Sequence, residues 1–265
     1  MVGPRDDDSV EWSATRIEDV LPPIVAVVVL VGGWALFTAF ASVPSFLLPS
    51  PIAVAGRLAG NPELYATNAL ATLERVVYGG AIGIVGGFAL AVAVTFVRPL
   101  RYAVLPYIVT VRVLPKIAIA PALLIYFGTG RTTSLIFVAA IAFFPTALST
   151  IAGLERVDRR YADLLRSVDA NPIRTFYAVE LRFALPDIVS GLKQSVTLAV
   201  VGAVVAEWVV VDDGLGALVL VASENLLTDV MLAALVILLV EGLALYGLVV
   251  LLERRLLWYA SAESD

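Results

Sequence analysis

The sequence predicts an all-α, polytopic membrane protein of six transmembrane helices, with one sizeable cytoplasmic loop between spans four and five. Three observations predict the fold. Of 265 residues, 60% are hydrophobic and only 15% charged, against about 25% charged in an ordinary soluble domain. The apolar residues gather in runs close to the roughly 20 that one helix needs to cross a bilayer. The basic residues collect between alternate runs, the asymmetry that sets orientation in a membrane.

Composition also closes off chemistry. There is no Cys and no His, which removes disulfides, thiolate nucleophiles, Ser-His-Asp hydrolysis and the common zinc sites. A formal net charge of −5 argues against nucleic acid, whose phosphates require a basic footprint. No catalytic residue, metal or cofactor is expected. Lys116 and Lys193 are the only Lys, and the remaining bases are Arg. This acidic, Arg-rich balance fits a high-salt cytoplasm and GC-rich codon usage alike.

Residues 1–22 form an acidic tail opened by Asp6, Asp7 and Asp8, with only Arg5 and Arg16 as bases. It lacks the basic start of a cleaved signal peptide and is expected to be retained, disordered and cytoplasmic. The membrane domain covers 23–253, with spans at about 24–42, 76–97, 102–127, 134–153, 189–211 and 230–252. Pro22-Pro23 precede the first run and Pro44 follows it. The second is rich in Gly, which lets helix backbones approach closely in lipid, so it is expected to be an interface helix. Arg112, Pro115, Lys116 and Pro121 interrupt the third. That span should be kinked or partly unwound inside the bundle, where its freed backbone groups find partners. Pro145 breaks the fourth.

With the N-terminus inside, the inner segments hold most of the Arg residues, and the outer loops hold Arg57 and Arg131, with Arg75 near a boundary. Asp212, Asp213, Glu224 and Asp229 fall outside with no base beside them in sequence. Both termini are therefore expected in the cytoplasm, including a C-terminal tail at 254–265. The only sizeable inner loop is 154–187. Within it Leu164, Leu165 and Val168 sit at helical spacing with Arg166 and Asp169 opposite, a short amphipathic helix. Asn171-Pro172 reads as an N-cap followed by Pro at the first helical position, starting a second helix to about Arg182. The pattern suits a lever on which a soluble partner docks, and equally a pair of helices lying on the headgroups.

The same loop resembles the EAA-type loop of inner-membrane permease subunits of ATP-binding cassette (ABC) importers, in the nitrate, sulfonate, taurine and bicarbonate group. Asp163, Leu164 and Leu165 stand where that family has E-A-A, followed by Arg166-Ser167, Val168 and Ala170. Leu185-Pro186 match the pair that ends the loop. Asp169 replaces the loop glycine, and Asp is among the few residues that tolerate the left-handed backbone of such a turn. Beyond the loop, Leu48-Pro49-Ser50-Pro51, Pro115-Lys116 through Pro121 to Phe127-Gly128-Thr129-Gly130, Phe144-Pro145, Ala206-Glu207 and Gly214-Leu215-Gly216 follow the family's order. The closing run from Leu252-Glu253 to Trp258 follows it too.

The resemblance implies a non-catalytic transport subunit of the cell membrane. It implies a second permease copy, forming a homodimer or a pair with a related chain, around a path through the lipid bilayer. Two cytoplasmic ABC ATPase subunits would engage residues 163–170, and an extracytoplasmic substrate-binding protein would deliver the solute. The sequence agrees that energy comes from elsewhere, since it holds no G-x-x-x-x-G-K-[ST] phosphate loop. An oxyanion such as nitrate, sulfonate, taurine or bicarbonate leads as the solute, followed by a thiamine-precursor pyrimidine or a similar metabolite. A secondary transporter or channel is the rival class, but it needs its own coupling site and commonly an internal repeat, and the chain shows none.

Charges within spans are functional candidates by default. Arg112 and Lys116 lie four apart, so on a helical stretch they share a face and form a positive patch on the path, beside Pro115 and with Glu207 as a further candidate. Pairing of the two bases with Glu207 or Glu241, or snorkelling to an interface, explains the same spacing.

Overall fold

An α-helix keeps every backbone N–H and C=O paired without water, which is why it is the form that crosses hydrocarbon. The computed structural model describes residues 17–41, 43–113, 115–156, 161, 171–211 and 213–257. Among them the chain is built of helices: α1 (Ile17–Phe40), α2 (Pro51–Gly60), α3 (Pro62–Phe96), α4 (Arg98–Val113), α5 (Ala120–Phe127), α6 (Arg131–Glu155), α7 (Leu181–Val209), α8 (Leu215–Glu224) and α9 (Thr228–Leu256). Five stretches are long and apolar enough to cross a membrane: Leu21–Phe40, Pro62–Phe96, Arg131–Glu155, Ile173–Val209 and Thr228–Leu256. They carry five of the six predicted spans.

The third predicted span, 102–127, is not one helix. It runs as α4, a 3₁₀ turn at Lys116–Ile119, and α5. The break sits at Pro115, which holds an extended backbone (φ −66°, ψ 99°) before the turn. Pro has no N–H to donate and its ring excludes the preceding carbonyl, so the chain changes direction there.

The second span is longer than expected. Charges at Glu63, Glu74 and Arg75 end the apolar run at residue 76, yet α3 is continuous from Pro62 through 35 residues. At about 1.5 Å per residue it reaches about 52 Å, so its first turns project beyond a hydrocarbon layer of about 30 Å. There helix formation needs no apolar side chains. Ser50 and Pro51 of the Leu48-Pro49-Ser50-Pro51 stretch start α2, with Ser50 Oγ accepting the Ala53 N–H at 3.2 Å.

The centre of the bundle is α3, α6 and α7. Gly83 and Gly87 of α3 lie on the α6 backbone: a Cβ on Gly83 would collide with the Ala139 carbonyl, and one on Gly87 would sit 2.5 Å from the Phe143 oxygen. The expected interface helix is thus an interface with α6. Pro145 sits buried within α6. Ser195 of α7 enters at the residue that follows it, accepting the Thr146 N–H at 3.1 Å and donating to Ala142 O at 2.7 Å. These are the two groups a straight helix would pair with each other, so Ser195 splices the ladder that proline disturbs. The α1 helix lies at the edge, with none of its apolar window buried.

Candidate functional site

The described residues place functional candidates at three depths. At one end, where α3 and α6 finish and α7 begins, lies the frame of the predicted docking loop. The docking residues Asp163, Leu164, Leu165, Arg166, Ser167, Val168, Asp169 and Ala170 lie outside the described residues. After them Asn171 caps the next helix, its Oδ1 accepting the Ile173 N–H at 2.9 Å, and Pro172 takes the first turn as expected. That helix does not stop near Arg182. One turn (Pro172–Thr175) widens into a π-turn (Phe176–Glu180) and continues as α7. Leu185 and Pro186, expected to end the loop, therefore lie one turn inside α7. Pro186 lies inside the helix with its side exposed.

Phe176 anchors the junction. It is buried with Leu154 and Ala184, and its ring meets Phe96 of α3 at 5.1 Å and Tyr177 at 5.3 Å. Ion pairs stitch the same end: Arg101 to Glu155 at 2.6 Å, Arg156 to Asp187 at 2.9 Å, and Lys193 to Glu253 at 2.5 Å. The start of α7 and the turn before it are thereby held to α3 and α6 at once.

Further along α7, from that end toward its middle, Ser190, Gln194 and Thr197 are exposed on one face. They border a cavity of about 430 Å³ shared with Tyr246 of α9. A second, of about 320 Å³, lies between Gln194 and α6 residues that include Ser149. The broken third span contributes Pro115, exposed at the bend. Arg112 falls in the last turn of α4 and Lys116 opens the 3₁₀ turn; the positions of their side chains lie outside the description.

At the far end Glu207 is 1% exposed and Arg75 is 5% exposed. Arg75 Nη1 donates to Glu207 Oε1 at 2.8 Å and to Asp213 O at 3.0 Å, and its Nη2 also engages the Asp213 carboxylate. Glu207 Oε2 accepts the Gly216 N–H at 2.7 Å. Thr72 Oγ1 accepts the Leu215 N–H at 2.8 Å, and Asn68 Oδ1 accepts the Gly214 N–H at 2.9 Å. Three successive orphan donors at the start of α8 are thereby satisfied by α3 and α7, with a carboxylate at the positive end of the helix. A Cβ on Gly216 would stand 2.7 Å from Glu207 Oε2, so the Gly214-Leu215-Gly216 segment keeps glycine for close approach.

This geometry gives Glu207 a partner that the sequence did not suggest, Arg75, 132 positions away. It also supplies bases for acids that have none nearby in sequence: Arg57 meets Asp229 at 2.5 Å, and Arg75 meets Asp213. Arg131 pairs with Glu74. Arg75 and the short α8 were not legible as functional features. A buried Arg ahead of a Gly-rich run, and an apolar stretch of ten residues after G-L-G, were the available signals.

The chain is similar to known proteins in sequence and in fold. Residues 83–258 match the family described as the binding-protein-dependent transport system inner membrane component. The riboflavin transport system permease protein of Chloroflexus aurantiacus is 32% identical over 95% of this chain and 92% of its own length. The formylaminopyrimidine transport permease protein of Halalkalibacterium halodurans is 32% identical, covering 76% and 80%. The taurine transport system permease protein of Escherichia coli is 27% identical, covering 96% and 95%. Among solved structures, an inward-facing MetNI methionine ABC transporter superposes with a TM-score of 0.63 at 19% identity, covering 73% of this chain and 96% of that one, which shows a shared fold. The chain belongs to the binding-protein-dependent transport system inner membrane components and is a permease subunit of an ABC importer.

Proposed function

We propose that the chain forms half of a translocation path in the cell membrane, with both termini cytoplasmic, as a homodimer that works with two ABC ATPase subunits and an extracytoplasmic binding protein. The observation that carries this reading is the family match over 83–258, which spans the loop between the fourth and fifth crossings. Closure of the ATPase pair would move residues 163–170 as a rigid lever. The anchored Phe176 junction would pass that motion to α3, α6 and α7, opening the path to the opposite side.

The solute we propose is a small, uncharged nitrogen heterocycle of the vitamin-precursor kind. The support is that the relatives named for riboflavin and formylaminopyrimidine are each 32% identical, against 27% for the taurine relative. In addition Arg75, Arg131 and Lys193 are already held by carboxylates. The oxyanion reading keeps one specific observation in its favour, the Arg112 and Lys116 spacing beside the Pro115 bend.

The test is assembly and coupling. The chain, co-expressed with its ATPase and reconstituted in vesicles, should make ATP turnover respond to the loaded binding protein. Replacing both Leu164 and Leu165 with Asp should abolish that response and uptake while the helical bundle still purifies as a monodisperse species. Normal uptake by the double variant would refute the docking assignment.

A further inference from the structure

We propose that the face of α7 carrying Ser190, Gln194 and Thr197, with Ser149 of α6 and Tyr246 of α9, is a water-facing wall of the path, and that Gln194 sorts solutes there by amide hydrogen bonding rather than by charge. The proposal rests on the permease reading.

The three residues are spaced four and three apart, so they form one stripe, and the exposed Pro186 and Val201 continue it in both directions. Gln194 lies five residues inside the predicted span 189–211, about 8 Å at about 1.5 Å per residue, and one residue from Lys193, whose partner Glu253 stands near the end of α9. Among the described residues no side chain or backbone group bonds the Gln194 amide, the Ser190 hydroxyl or the Tyr246 hydroxyl, and Thr197 only donates back to Lys193 O at 3.0 Å. An unpaired amide in hydrocarbon costs several kcal/mol, so this face is incompatible with lipid. The contrast lies on α9, whose exposed positions include Leu239, Val240, Leu243 and Leu251. Those side chains suit acyl chains, and the α7 stripe does not.

Two features narrow what the wall contacts. Gln194 and Leu198 border both cavities, so they stand where the two meet. Among the described residues the single charged one that lines these cavities, Lys193, is neutralised by Glu253 at 2.5 Å. The wall therefore offers hydroxyls and one amide that both donates and accepts, a set that exchanges hydrogen bonds with an uncharged heteroatom-bearing ring and gives no counter-charge to an oxyanion. Each bond replaces one to water, so the solute gains little net binding and is free to leave.

Because the chain has no Cys, single substitutions report on single positions. The permease with its ATPase, in nanodiscs that leave both membrane faces open, is treated with a hydrophilic thiosulfonate reagent. Ser190→Cys, Gln194→Cys and Thr197→Cys should be modified at least tenfold faster than Leu243→Cys on the α9 face and Ala199→Cys in the core. Ser190→Cys changes one atom, so the test survives if a variant at 194 fails to fold. Rates at 190 and 197 no faster than at 243 would overturn the proposal, whether lipid or a second copy covers the stripe. Basal ATP turnover that depends on the chain is measured in the same sample. Its absence would refute the permease reading, while slow labelling with intact turnover would refute the wall alone. For selectivity, Gln194→Glu should cut labelled formylaminopyrimidine or riboflavin uptake at least tenfold, with Gln194→Asn retaining most of it; unchanged uptake by Gln194→Glu removes the sorting role.

Discussion

Glu207 and Arg75 illustrate how a charge survives beside a membrane. Each is almost fully enclosed, and each is bonded by more than its partner: Arg75 also holds the Asp213 carbonyl, and Glu207 also receives the Gly216 N–H. Removing one member should therefore hurt more than removing both. Arg75→Leu should destabilise the chain by about 3–5 kcal/mol, because it leaves a buried carboxylate without its counter-charge. Adding Glu207→Leu should recover part of the loss, a coupling that a double-mutant cycle of melting temperatures in detergent measures. Equal losses in the single and double variants would mean that the carboxylate left behind by Arg75→Leu carries no penalty of its own. The pair is a residue-scale feature that no local pattern announces, since a carboxylate in a span reads from sequence as a site on the path.

At the scale of elements, packing in lipid depends on shape rather than on escape from water. The α3–α6 contact uses Gly83 and Gly87 as notches into which the Ala139 and Phe143 carbonyls fit. Gly83→Leu should separate the two helices and abolish a monodisperse detergent-solubilised species, whereas Gly247→Ala, on a part of α9 with open space around it, should melt within about 0.5 kcal/mol of the parent or slightly above it. A folded Gly83→Leu variant melting normally would show that α3 and α6 need not touch there. Gly-rich composition made α3 legible as an interface helix, but which helix it meets was not, because every neighbour in lipid is equally apolar. The length of α3 was hidden for a related reason: hydropathy reports where lipid ends, not where hydrogen bonding ends.

For the whole molecule, orientation decides which end meets the ATPase. Ion pairs at both ends consume acids and bases alike, yet the surplus of Arg belongs to the end that carries the loop, and acids count little in that rule. With no native Cys, Ser223→Cys in α8 should react with an impermeant reagent added to intact cells, and Ser167→Cys in the loop should react only after the membrane is opened. Labelling of position 167 from outside would invert the molecule and remove the ATPase from the loop. Phe176, in the helix that follows the loop, packs against α3, α6 and α7 together, so a correct orientation is expected to let the three helices respond to the loop as one body.

The sequence by itself determined that this is a helical membrane protein, roughly where its chain crosses, where Pro115 breaks a span, how Asn171-Pro172 starts the helix after the loop, and to which family it belongs. Those features depend on local composition against a fixed solvent, on one residue's missing N–H, or on motifs in chain order. Only the tertiary structure decided that Glu207 answers to Arg75, that Ser195 repairs the ladder beside Pro145, that α8 is capped from α3, and that Ser190, Gln194 and Thr197 share an open face. Each of these is a meeting of side chains tens of positions apart, or an exposure that depends on what the neighbouring helices leave uncovered. Hydropathy records only how much each residue prefers lipid, so the identity of a partner appears once the helices are packed.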